Sequence, residues 1–383
     1  KTDLNNSICG LGHTRWATHG EPSELNAHPQ VVNRVSVVHN GIIENFQALK
    51  NKLINHGYEF QSQTDTEVLV QLLDYYYKGN PLEAITKVMH RVEGAYALGI
   101  IFADHPDEIF AVRKDSPLIV GRSDNAAYIA SDVPAILKYT RDVYYIDNSE
   151  VVCLKAGELR FYTADEEEIS KESTHIEWDA ESVAKGGYEH FMLKEIHEQP
   201  KAVRDTLAGR IAHDNSAVVL DELKWTKEYV NSFSRVFIIA CGTAYHAGLV
   251  GKYYIENLAR IPVEVDIASE FRYRKPIIDD STLTIVVSQS GETIDTLAAL
   301  KEAKRLGSKT MAVTNVVGSS IAREADQVIY TCAGPEIAVA STKAYTTQLI
   351  VMFLLGAYMA GLRETVDTER MTQLLTQLKN IPS

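Results

Sequence analysis

The sequence predicts two domains of different fold class, an α+β domain built on antiparallel sheets and an α/β domain built on a parallel sheet. The chain has 383 residues, more than one hydrophobic core usually organises. In its first half, short strand-like runs alternate with turns rich in Gly, Asp, Asn and Pro, which is typical of antiparallel sheets. In its second half, continuously apolar strands alternate with helices, which indicates a parallel sheet covered on both faces.

Two helices are predicted to interrupt the strands of the first half. Apolar residues recur at helical spacing over residues 42–54 and stop before Gly57, a residue common at helix C-termini. Thr64, with Glu67 three residues later, has the pattern of a capping box and predicts the start of the second helix. Residues 163–182 are acidic and aperiodic, a composition typical of linkers.

Two strand–turn–helix units of the second half carry polar turns. Strand 236–240 runs into the turn CGTA, strand 283–287 runs into the turn SQSGET, and a third strand follows at 310–313. At the carboxyl edge of a parallel sheet, such turns direct backbone N–H groups and a helix N-terminus towards an anion. One such turn is usually only a helix cap, but two converging turns predict a single phosphate pocket. A nucleoside triphosphate is disfavoured because the sequence has no P-loop motif.

Composition excludes several classes of partner. The net charge is −13 and the isoelectric point is near 5.4, so neither a nucleic acid nor an anionic membrane is expected to bind. The four cysteines, at positions 9, 153, 241 and 332, form no CxxC pair and fit the isolated thiols of a cytoplasmic protein. The longest apolar run, residues 349–360, is too short to span a bilayer and predicts a buried helix.

Three polar motifs of the first half match the needs of a site that hydrolyses the side-chain amide of free glutamine. They are HTRWATHG, an Asn-Gly pair after a strand, and TDT before a helix. Arg15 can bind the α-carboxylate in bidentate fashion, and Asp65 can bind the α-ammonium group. The Asn40 side chain and the Gly41 backbone can supply two N–H donors to the tetrahedral oxyanion.

Each of these motifs also has a plain structural interpretation. Residues 13–20 could form an ordinary polar loop between strands. Asp65 could act only by favouring the N-terminus of the following helix through the macrodipole. Asn40 and Gly41 could form a simple turn, which is the commoner use of this dipeptide.

A metal site is a further option for the first half, because four histidines lie close together in sequence. They are His13, His19, His28 and His39. Their spacings match no usual ligand pattern, and no carboxylate accompanies them. The sequence therefore predicts no metal site and no cofactor.

The first half resembles the glutaminase domain of class II (N-terminal-nucleophile) amidotransferases, most closely in the glutamine–fructose-6-phosphate aminotransferase family. The resemblance is carried by residues 13–20, 40–45 and 64–67. It implies an αββα sandwich and specific roles for its residues. Arg15, Thr18 and His19 would hold the glutamine carboxylate, Asp65 and the Gly41 carbonyl would hold its ammonium group, Asn40 and the Gly41 N–H would form the oxyanion hole, and Trp16 would gate the passage of ammonia.

The nucleophile of that family is the thiol of a mature N-terminal Cys, with its own α-amino group as the base. Lys1 cannot perform this chemistry. Cys9 is not terminal and is expected to be a structural thiol in the strand before the first motif. We therefore expect the nucleophile to lie upstream of Lys1, and this chain to bind glutamine poorly and hydrolyse none.

The second half resembles a sugar isomerase (SIS) domain of the same family, an αβα domain with a parallel sheet. The resemblance implies that the two polar turns bind the phosphate and the sugar hydroxyls and that residues 339–343 line the sugar site. The implied residues are Cys241, Gly242, Thr243, Ser288, Gln289, Ser290, Thr293, Val339 and Ser341. Ser341 could instead be the N-cap of an ordinary helix. Ala244 departs from the Ser often found after Cys-Gly-Thr, which removes one possible phosphate donor.

The resemblance also implies the organisation of the chain. We expect a glutaminase domain without its N-terminal segment at 1–165, a linker at 166–198, a first SIS subdomain at 199–365, and at 366–383 the start of a connection to a second SIS subdomain. The isomerase acid and base groups of the family, including a Schiff-base Lys, belong to that second subdomain. Nothing in the sequence around Lys343 supports such a role for it.

The implied function is the transfer of ammonia from L-glutamine to fructose 6-phosphate, which gives glucosamine 6-phosphate and glutamate. The family resemblance further implies a homo-oligomer, specifically a dimer. Two alternatives remain open, a non-catalytic SIS-type sugar-phosphate sensor and an amidotransferase that acts on another ketose phosphate. The glutamine-binding set at Arg15, Asn40 and Asp65 counts against the sensor, because a sensor has no use for it.

Overall fold

The computed structural model describes residues 8–15, 20–176 and 185–383. The chain divides into two compact units, with the division between Glu177 and Trp178. The first unit consists of antiparallel sheets with helices, and the second is built around a parallel sheet. The fold class that the sequence predicts for each half is confirmed.

The first unit contains two antiparallel sheets. Its strands are β1 (Gln30–Val32), β2 (Val35–Ile43), β3 (Gly94–Phe102), β4 (Ile109–Lys114), β5 (Ile119–Ser123), β6 (Ala126–Ala130), β7 (Asp142–Tyr145), β8 (Val151–Lys155), β9 (Glu158–Tyr162), β10 (Glu168–Ile169) and β11 (Thr174–His175). The larger sheet has the order β1-β2-β3-β4-β8-β9-β10, and the smaller one has the order β11-β7-β5-β6. The short strands β10 and β11 fall in the stretch where the sequence suggests a linker, and they pair with β9 and β7.

Side chains alternate between two cores along the larger sheet, as the two-residue period of a strand requires. In β3, Leu98 and Ile100 face a core shared with the helices α1 (Phe46–Asn55), α2 (Thr66–Tyr76) and α3 (Pro81–Met89). Ala97, on the opposite face, joins a second core that contains Val120 of the smaller sheet. A 3-10 turn at Val133–Ala135 begins the segment that covers the outer side of β5. The helices, the larger sheet and the smaller sheet thus pack as successive layers.

The first helix begins later than the apolar periodicity suggests. Ile42 and Ile43 belong to β2, where they pair with Ala95 and Gly94, and the helix starts at Phe46. An apolar pair continues the helical pattern by chance, because the spacing of two neighbouring residues fits either structure. The sequence prediction of a helix over residues 42–54 is therefore wrong for its first four residues.

The capping box at the start of α2 forms only in part. The Thr64 Oγ1 atom accepts a hydrogen bond from the Glu67 N–H group at 3.3 Å. The Glu67 carboxylate accepts hydrogen bonds from the N–H groups of Gln61 at 2.7 Å and Ser62 at 2.6 Å. Glu67 thus fixes the loop that precedes the helix, and with it the position of Asp65.

The second unit has a five-stranded parallel sheet. Its strands are β12 (Arg235–Ala240), β13 (Val263–Ile267), β14 (Thr282–Ser288), β15 (Lys309–Thr314) and β16 (Gln327–Tyr330). Their order is β13-β12-β14-β15-β16. Because the chain passes first to one side of β12 and then to the other, the direction of winding changes between β12 and β14. Ligands of open parallel sheets bind at such a switch point, beyond the carboxyl ends of the strands.

Helices cover both faces of this sheet. The helices described in the second unit are α4 (Phe191–His197), α5 (Gln199–Leu207), α6 (Lys227–Asn231), α7 (Gly242–Leu258), α8 (Ala268–Phe271), α9 (Ile294–Arg305), α10 (Ser320–Glu324), α11 (Lys343–Arg363) and α12 (Thr368–Asn380). Residues of α7, α11 and α12 share one core with alternate residues of β12 and β14. Residues of α8, α9 and α10 share the core on the opposite face.

Helix α11 is long and apolar enough to cross a membrane by length and composition. Most of its apolar residues are instead buried inside the second unit, among them Val351, Leu354 and Leu355. A central helix of a protein core has this pattern. The structure therefore confirms the buried helix that the sequence predicts for residues 349–360.

Candidate functional sites

The first unit brings Asp65 to the strand that carries Asn40 and Gly41. The Asp65 residue is only 4% exposed, and its Oδ2 atom accepts a hydrogen bond from the Ile43 N–H group at 2.9 Å. Asn40 and Gly41 lie three and two residues earlier than Ile43 along β2, where they pair with Ala97 and Tyr96. A carboxylate and an Asn-Gly pair separated by 24 residues in sequence thus lie at one end of one strand.

Gly41 is required by the geometry of this strand. Its φ angle is +137°, a region that side chains rarely adopt. A Cβ atom at this position would lie 2.1 Å from the Ala95 carbonyl oxygen of the neighbouring strand. Because that oxygen belongs to the backbone of β3, it cannot move aside. Asn40-Gly41 is therefore an irregular strand segment, and the simple turn that the dipeptide suggests is wrong.

Arg15 makes hydrogen bonds to three described residues of the same segment, His13, Gly20 and Glu21. Its φ angle is +41°, and its guanidinium donates hydrogen bonds to the carbonyl oxygens of Gly20 at 3.2 Å and Glu21 at 3.3 Å. The backbone N–H group of Arg15 donates to His13 Nδ1 at 2.9 Å. The other residues that the sequence predicts in this motif, Trp16, Thr18 and His19, lie outside the described residues.

Two histidines near Arg15 are candidates that sequence reasoning considered only as metal ligands. The rings of His13 and His28 meet edge to face, with 4.6 Å between their centroids. Burial lowers the pKa of His28 to about 4, and the nearby charges of His13, His39 and Arg15 act in the same direction. His28 is therefore neutral at pH 7. Residues 15 positions apart in a loop give no sequence signal for this contact.

Metal binding finds no support in the part of the chain that the structure describes. There, no group of three or more His, Cys, Asp or Glu side chains is placed to hold a metal ion. The hydrogen bond between His39 Nδ1 and Thr66 Oγ1, at 3.0 Å, instead ties β2 to the start of α2. His39 thus helps to place Asp65, which precedes Thr66.

Cys9 lies outside the strands, although the sequence predicts it in one. It packs against the core between the two sheets, together with Leu11. Burial raises the pKa of its thiol, and the negative charge of Asp107 adds to this effect. A thiol with a raised pKa is a poor nucleophile, which agrees with a structural role.

In the second unit, the two polar turns leave the sheet side by side. Ala240, the last residue of β12, pairs with Val287 of the parallel strand β14. The turn that begins at Cys241 and the turn that begins at Ser288 therefore start next to each other, at the switch point of the sheet. The structure thus confirms that the two turns converge.

Neither helix that follows these turns has a side-chain cap in the described chain. Cys241 is the N-cap of α7, and Thr293 is the N-cap of α9, and neither side chain accepts a hydrogen bond from its own helix. The first N–H groups of a helix need acceptors, and an anion can supply them. Gly242 and Thr243 are exposed on this edge, whereas the Ala244 side chain is buried.

Hydroxyl groups shape the loop of residues 288–293, which we call the phosphate loop because the sequence predicts that it binds a phosphate. Ser288 is 2% exposed, and its Oγ atom accepts a hydrogen bond from the Gly291 N–H group at 3.0 Å. The same Oγ atom lies 3.0 Å from Thr293 Oγ1. Ser290 Oγ accepts from the Glu292 N–H group at 3.1 Å. The Ser288 and Ser290 hydroxyls thus fix the backbone of the phosphate loop.

Helix α10 supports the phosphate loop from the side of β15. The Glu292 carboxylate accepts a hydrogen bond from the Ser320 N–H group at 2.7 Å. The Gly291 carbonyl accepts one from the Ile321 N–H group at 2.9 Å. A Cβ atom on Gly291 would lie 1.9 Å from Ser319 Oγ, so the phosphate loop packs directly on the N-terminus of α10, whose N-cap is Ser319.

Residues 331–342 form a second loop at the same edge, which we call the sugar loop because the family resemblance implies that its end lines the sugar site. Asn315, at the end of β15, donates from Nδ2 to the Gly334 carbonyl at 2.7 Å and accepts at Oδ1 from the Ala333 N–H group at 2.9 Å. Its own N–H group donates to the Gln289 carbonyl at 3.1 Å. One residue therefore joins the sugar loop to the phosphate loop.

The end of the sugar loop differs from the ordinary helix start that the sequence leaves open. Helix α11 has Thr342 as its N-cap, and Ser341 Oγ donates to the Glu336 carboxylate at 2.8 Å. The same carboxylate accepts from the N–H groups of Thr342 at 2.9 Å and Ala344 at 3.0 Å. Val339, at the tip of the loop, is 96% exposed.

Both units match known protein families. The family model of a glutamine amidotransferase domain matches residues 13–138, and that of an SIS domain matches residues 230–357. Among solved structures, the C-terminal domain of glucosamine-fructose-6-phosphate aminotransferase from Francisella tularensis is similar, with a TM-score of 0.50 and 42% identity. That similarity covers 52% of this chain and 56% of the other.

Curated relatives match the chain over nearly its whole length. The glutamine–fructose-6-phosphate aminotransferase (isomerizing) of Clostridium acetobutylicum is 60% identical over 375 residues, which cover 97% of this chain and 62% of the relative. The protein of the same name from Caldanaerobacter subterraneus subsp. tengcongensis is 56% identical over 382 residues, which cover 99% of this chain and 63% of the relative. The chain therefore spans less than two thirds of the length of these relatives.

Proposed function

Because the chain belongs to the glutamine–fructose-6-phosphate aminotransferase family over the residues it shares with those relatives, we propose that it carries two substrate sites of that reaction. The first unit binds L-glutamine, and the second binds fructose 6-phosphate. The whole protein transfers ammonia from glutamine to the sugar and produces glucosamine 6-phosphate and glutamate. The observation that carries the proposal is the convergence of two uncapped helix N-termini at the switch point of the parallel sheet.

The sugar phosphate occupies the edge of the second unit. Its phosphate accepts hydrogen bonds from the N–H groups at the starts of α7 and α9, whose dipoles favour an anion. Thr243, Gln289 and Thr293 complete these contacts, together with the hydroxyls of the phosphate loop. Cys241 and Gly242 shape the pocket, and the sugar loop contributes Val339 and Ser341 against the sugar. A local site of this kind is needed because the net charge of the chain is −13.

Glutamine occupies the end of β2 in the first unit. Asp65 binds the α-ammonium group together with the Gly41 carbonyl, and Arg15 binds the α-carboxylate with Thr18 and His19. The Asn40 side chain and the Gly41 N–H group stabilise the oxyanion of the tetrahedral intermediate. Trp16 gates the ammonia that is released. The buried carboxylate of Asp65 supports this assignment, since a binding site for an ammonium group needs a fixed negative charge.

The proposed organisation follows the same family. A glutaminase domain at 1–165 is followed by a linker at 166–198, whose first part pairs with the sheets of the first unit as β10 and β11. An SIS subdomain follows at 199–365, and residues 366–383 lead towards a second SIS subdomain. The nucleophilic Cys and the isomerase groups belong to the remainder of the protein. We further propose a soluble, cytoplasmic dimer that binds neither nucleic acid nor membrane.

Calorimetric titration of this chain with fructose 6-phosphate tests the sugar site. The chain is expected to bind fructose 6-phosphate but not fructose, because the phosphate provides most of the recognition. Ser290→Asp should abolish binding, since a carboxylate placed in the phosphate loop repels the phosphate. The matched variant Ser290→Ala should weaken binding far less. Equal binding by the wild type and Ser290→Asp would exclude the phosphate loop as the site.

The reaction is tested on the complete product of the gene. Release of glutamate should accelerate when fructose 6-phosphate is present, and glucosamine 6-phosphate should accumulate. Asp65→Asn should raise the KM for glutamine, because the amide no longer carries the charge that binds the ammonium group. If another ketose phosphate accelerated glutamate release more than fructose 6-phosphate, that sugar would be the acceptor. If fructose 6-phosphate left the rate of glutamate release unchanged, the two sites would not be coupled.

A further inference from the structure

A buried glutamate reaches the sugar loop from helix α4. Glu195 is 1% exposed, and its Oε1 atom accepts hydrogen bonds from the N–H groups of Ile337 at 2.6 Å and Ala338 at 3.2 Å. Its Oε2 atom lies 3.3 Å from the Ala338 nitrogen. Burying a carboxylate is costly unless such donors compensate it. The side chain is therefore committed to the backbone of the sugar loop.

A second connection fixes the start of α11 to the junction of α4 and α5. Lys343 is 3% exposed, and its Nζ atom donates to Glu198 Oε2 at 2.6 Å. Thr346 Oγ1 donates to Gln199 Oε1 at 2.6 Å. Both acceptors lie at the junction of α4 and α5. Lys343 is thus occupied by a structural ion pair.

The exposed tip of the sugar loop lies between these fixed points. Asn315 holds the loop at Ala333 and Gly334, Glu195 holds it at Ile337 and Ala338, and Lys343 holds the helix that follows. The tip itself, residues 339–341, includes the fully exposed Val339. The position of the tip therefore depends on the residues just before it, which Glu195 holds, and on the hydrogen bond between Ser341 and Glu336 at its end.

We propose that Glu195 is a positioning residue of the sugar site: by fixing the backbone of Ile337 and Ala338, it preorganises the tip of the sugar loop for the sugar part of the ligand. The phosphate loop receives its support from Ser288, Asn315 and α10, so Glu195 acts on the sugar and not on the phosphate. The proposal deepens the proposed function and rests on it for the identity of the ligand. A binding loop that is not preorganised loses affinity because ordering it consumes binding free energy.

Three variants of this chain test the proposal, with fructose 6-phosphate and inorganic phosphate as separate ligands in calorimetric or competition titrations. Glu195→Ala should weaken fructose 6-phosphate binding about 10-fold, since the loop must be ordered on binding. It should leave the affinity for inorganic phosphate unchanged. Glu195→Gln should restore most of the affinity for fructose 6-phosphate, because its amide oxygen can accept the two hydrogen bonds made by Oε1. Glu189→Ala, at an exposed glutamate just before α4, serves as the matched control and should bind like the wild type.

Hydrogen exchange provides a readout that needs no ligand. In Glu195→Ala, the Ile337 and Ala338 amides should lose protection while the amides of the parallel sheet keep theirs. If the wild type bound neither ligand, the proposed function would fail, but this exchange result would still decide whether Glu195 fixes the loop. Unchanged protection of the two amides would overturn the proposal. So would an equal loss of affinity for both ligands, or a Glu195→Gln variant as weak as Glu195→Ala.

Discussion

The Asn315 N–H group donates to the Gln289 carbonyl at 3.1 Å, and this hydrogen bond joins the carboxyl ends of two neighbouring strands. The Asn315 side chain is 3% exposed and continues the connection to Gly334 and Ala333. The phosphate loop and the sugar loop are therefore parts of one hydrogen-bonded edge. A change at Asn315 should be felt in both.

Asn315→Ala should separate the two loops without breaking the backbone hydrogen bond to Gln289. The half-buried Gly334 carbonyl and the buried Ala333 N–H group would lose their partners, and we expect the free energy of unfolding of the second unit to fall by about 2 kcal/mol. The affinity for fructose 6-phosphate should fall as well. Urea denaturation and calorimetric titration measure the two effects. Asn231→Ala, at an exposed asparagine of α6, should change neither.

Gly291→Ala should disrupt the phosphate loop through one steric contact. The new Cβ atom would lie 1.9 Å from Ser319 Oγ and 2.8 Å from Thr314 Oγ1, and the φ angle of +67° adds strain. We expect a loss of stability well above the ~1 kcal/mol typical of the φ strain alone, and no detectable binding of fructose 6-phosphate. Thermal unfolding and titration provide the measurements.

A matched glycine separates the contact from the strain. Gly307 has a φ angle of +91° but has no atom within 4 Å of its Cβ position. Gly307→Ala should therefore show only the strain and should bind fructose 6-phosphate normally. Ser319→Gly combined with Gly291→Ala should recover part of the lost stability. An equal effect of the two alanine variants would mean that the contact with Ser319 is unimportant.

The sequence was sufficient to predict the parts of the fold that depend on local pattern. The apolar runs that became β12 and β14 are flanked by polar turns, and the parallel sheet brings the ends of such strands together. It was insufficient for Ile42 and Ile43, because two apolar residues beside a helical pattern fit a strand equally well. Only pairing with Gly94 and Ala95 decides between the two.

The supporting residues of the site in the second unit could not be predicted from the sequence. Glu195 and Ile337 are 142 positions apart, and Asn315 reaches Gly334 over 19 positions. Their roles come from hydrogen bonds between side chains and distant backbone, which leave no periodic pattern. The residues that line a turn were predictable, whereas the residues that hold the turn in place were not.

Gly41→Ala should destabilise the first unit more than any change of exposed glycine. The new Cβ atom would lie 2.1 Å from the Ala95 carbonyl oxygen, so β2 and β3 must move apart. We expect a loss of at least about 3 kcal/mol in the free energy of unfolding, measured by urea denaturation of this chain. Gly57→Ala is the control, because Gly57 also has a positive φ angle of +88° but has open space around it. Similar losses in the two variants would contradict the steric argument.

His28 should make the stability of the first unit depend on pH. Burial lowers its pKa from 6.5 to about 4 in the folded state. Between these values the unfolded chain binds a proton that the folded chain does not, so protonation favours unfolding as the pH falls. The stability that comes from a neutral His28 is fully present above pH 6.5 and declines as the pH falls towards 4.

His28→Gln removes this titration and should reduce the loss of stability between pH 7 and pH 4.5. The difference in the free energy of unfolding between the variant and the wild type should shift in favour of the variant as the pH falls, because only the wild type has an imidazole to protonate on unfolding. Urea denaturation at several pH values measures this difference. His56→Gln, at an exposed histidine of the same unit, is the control and should follow the wild-type profile. Parallel profiles for His28→Gln and the wild type would show that His28 titrates alike in the folded and unfolded states.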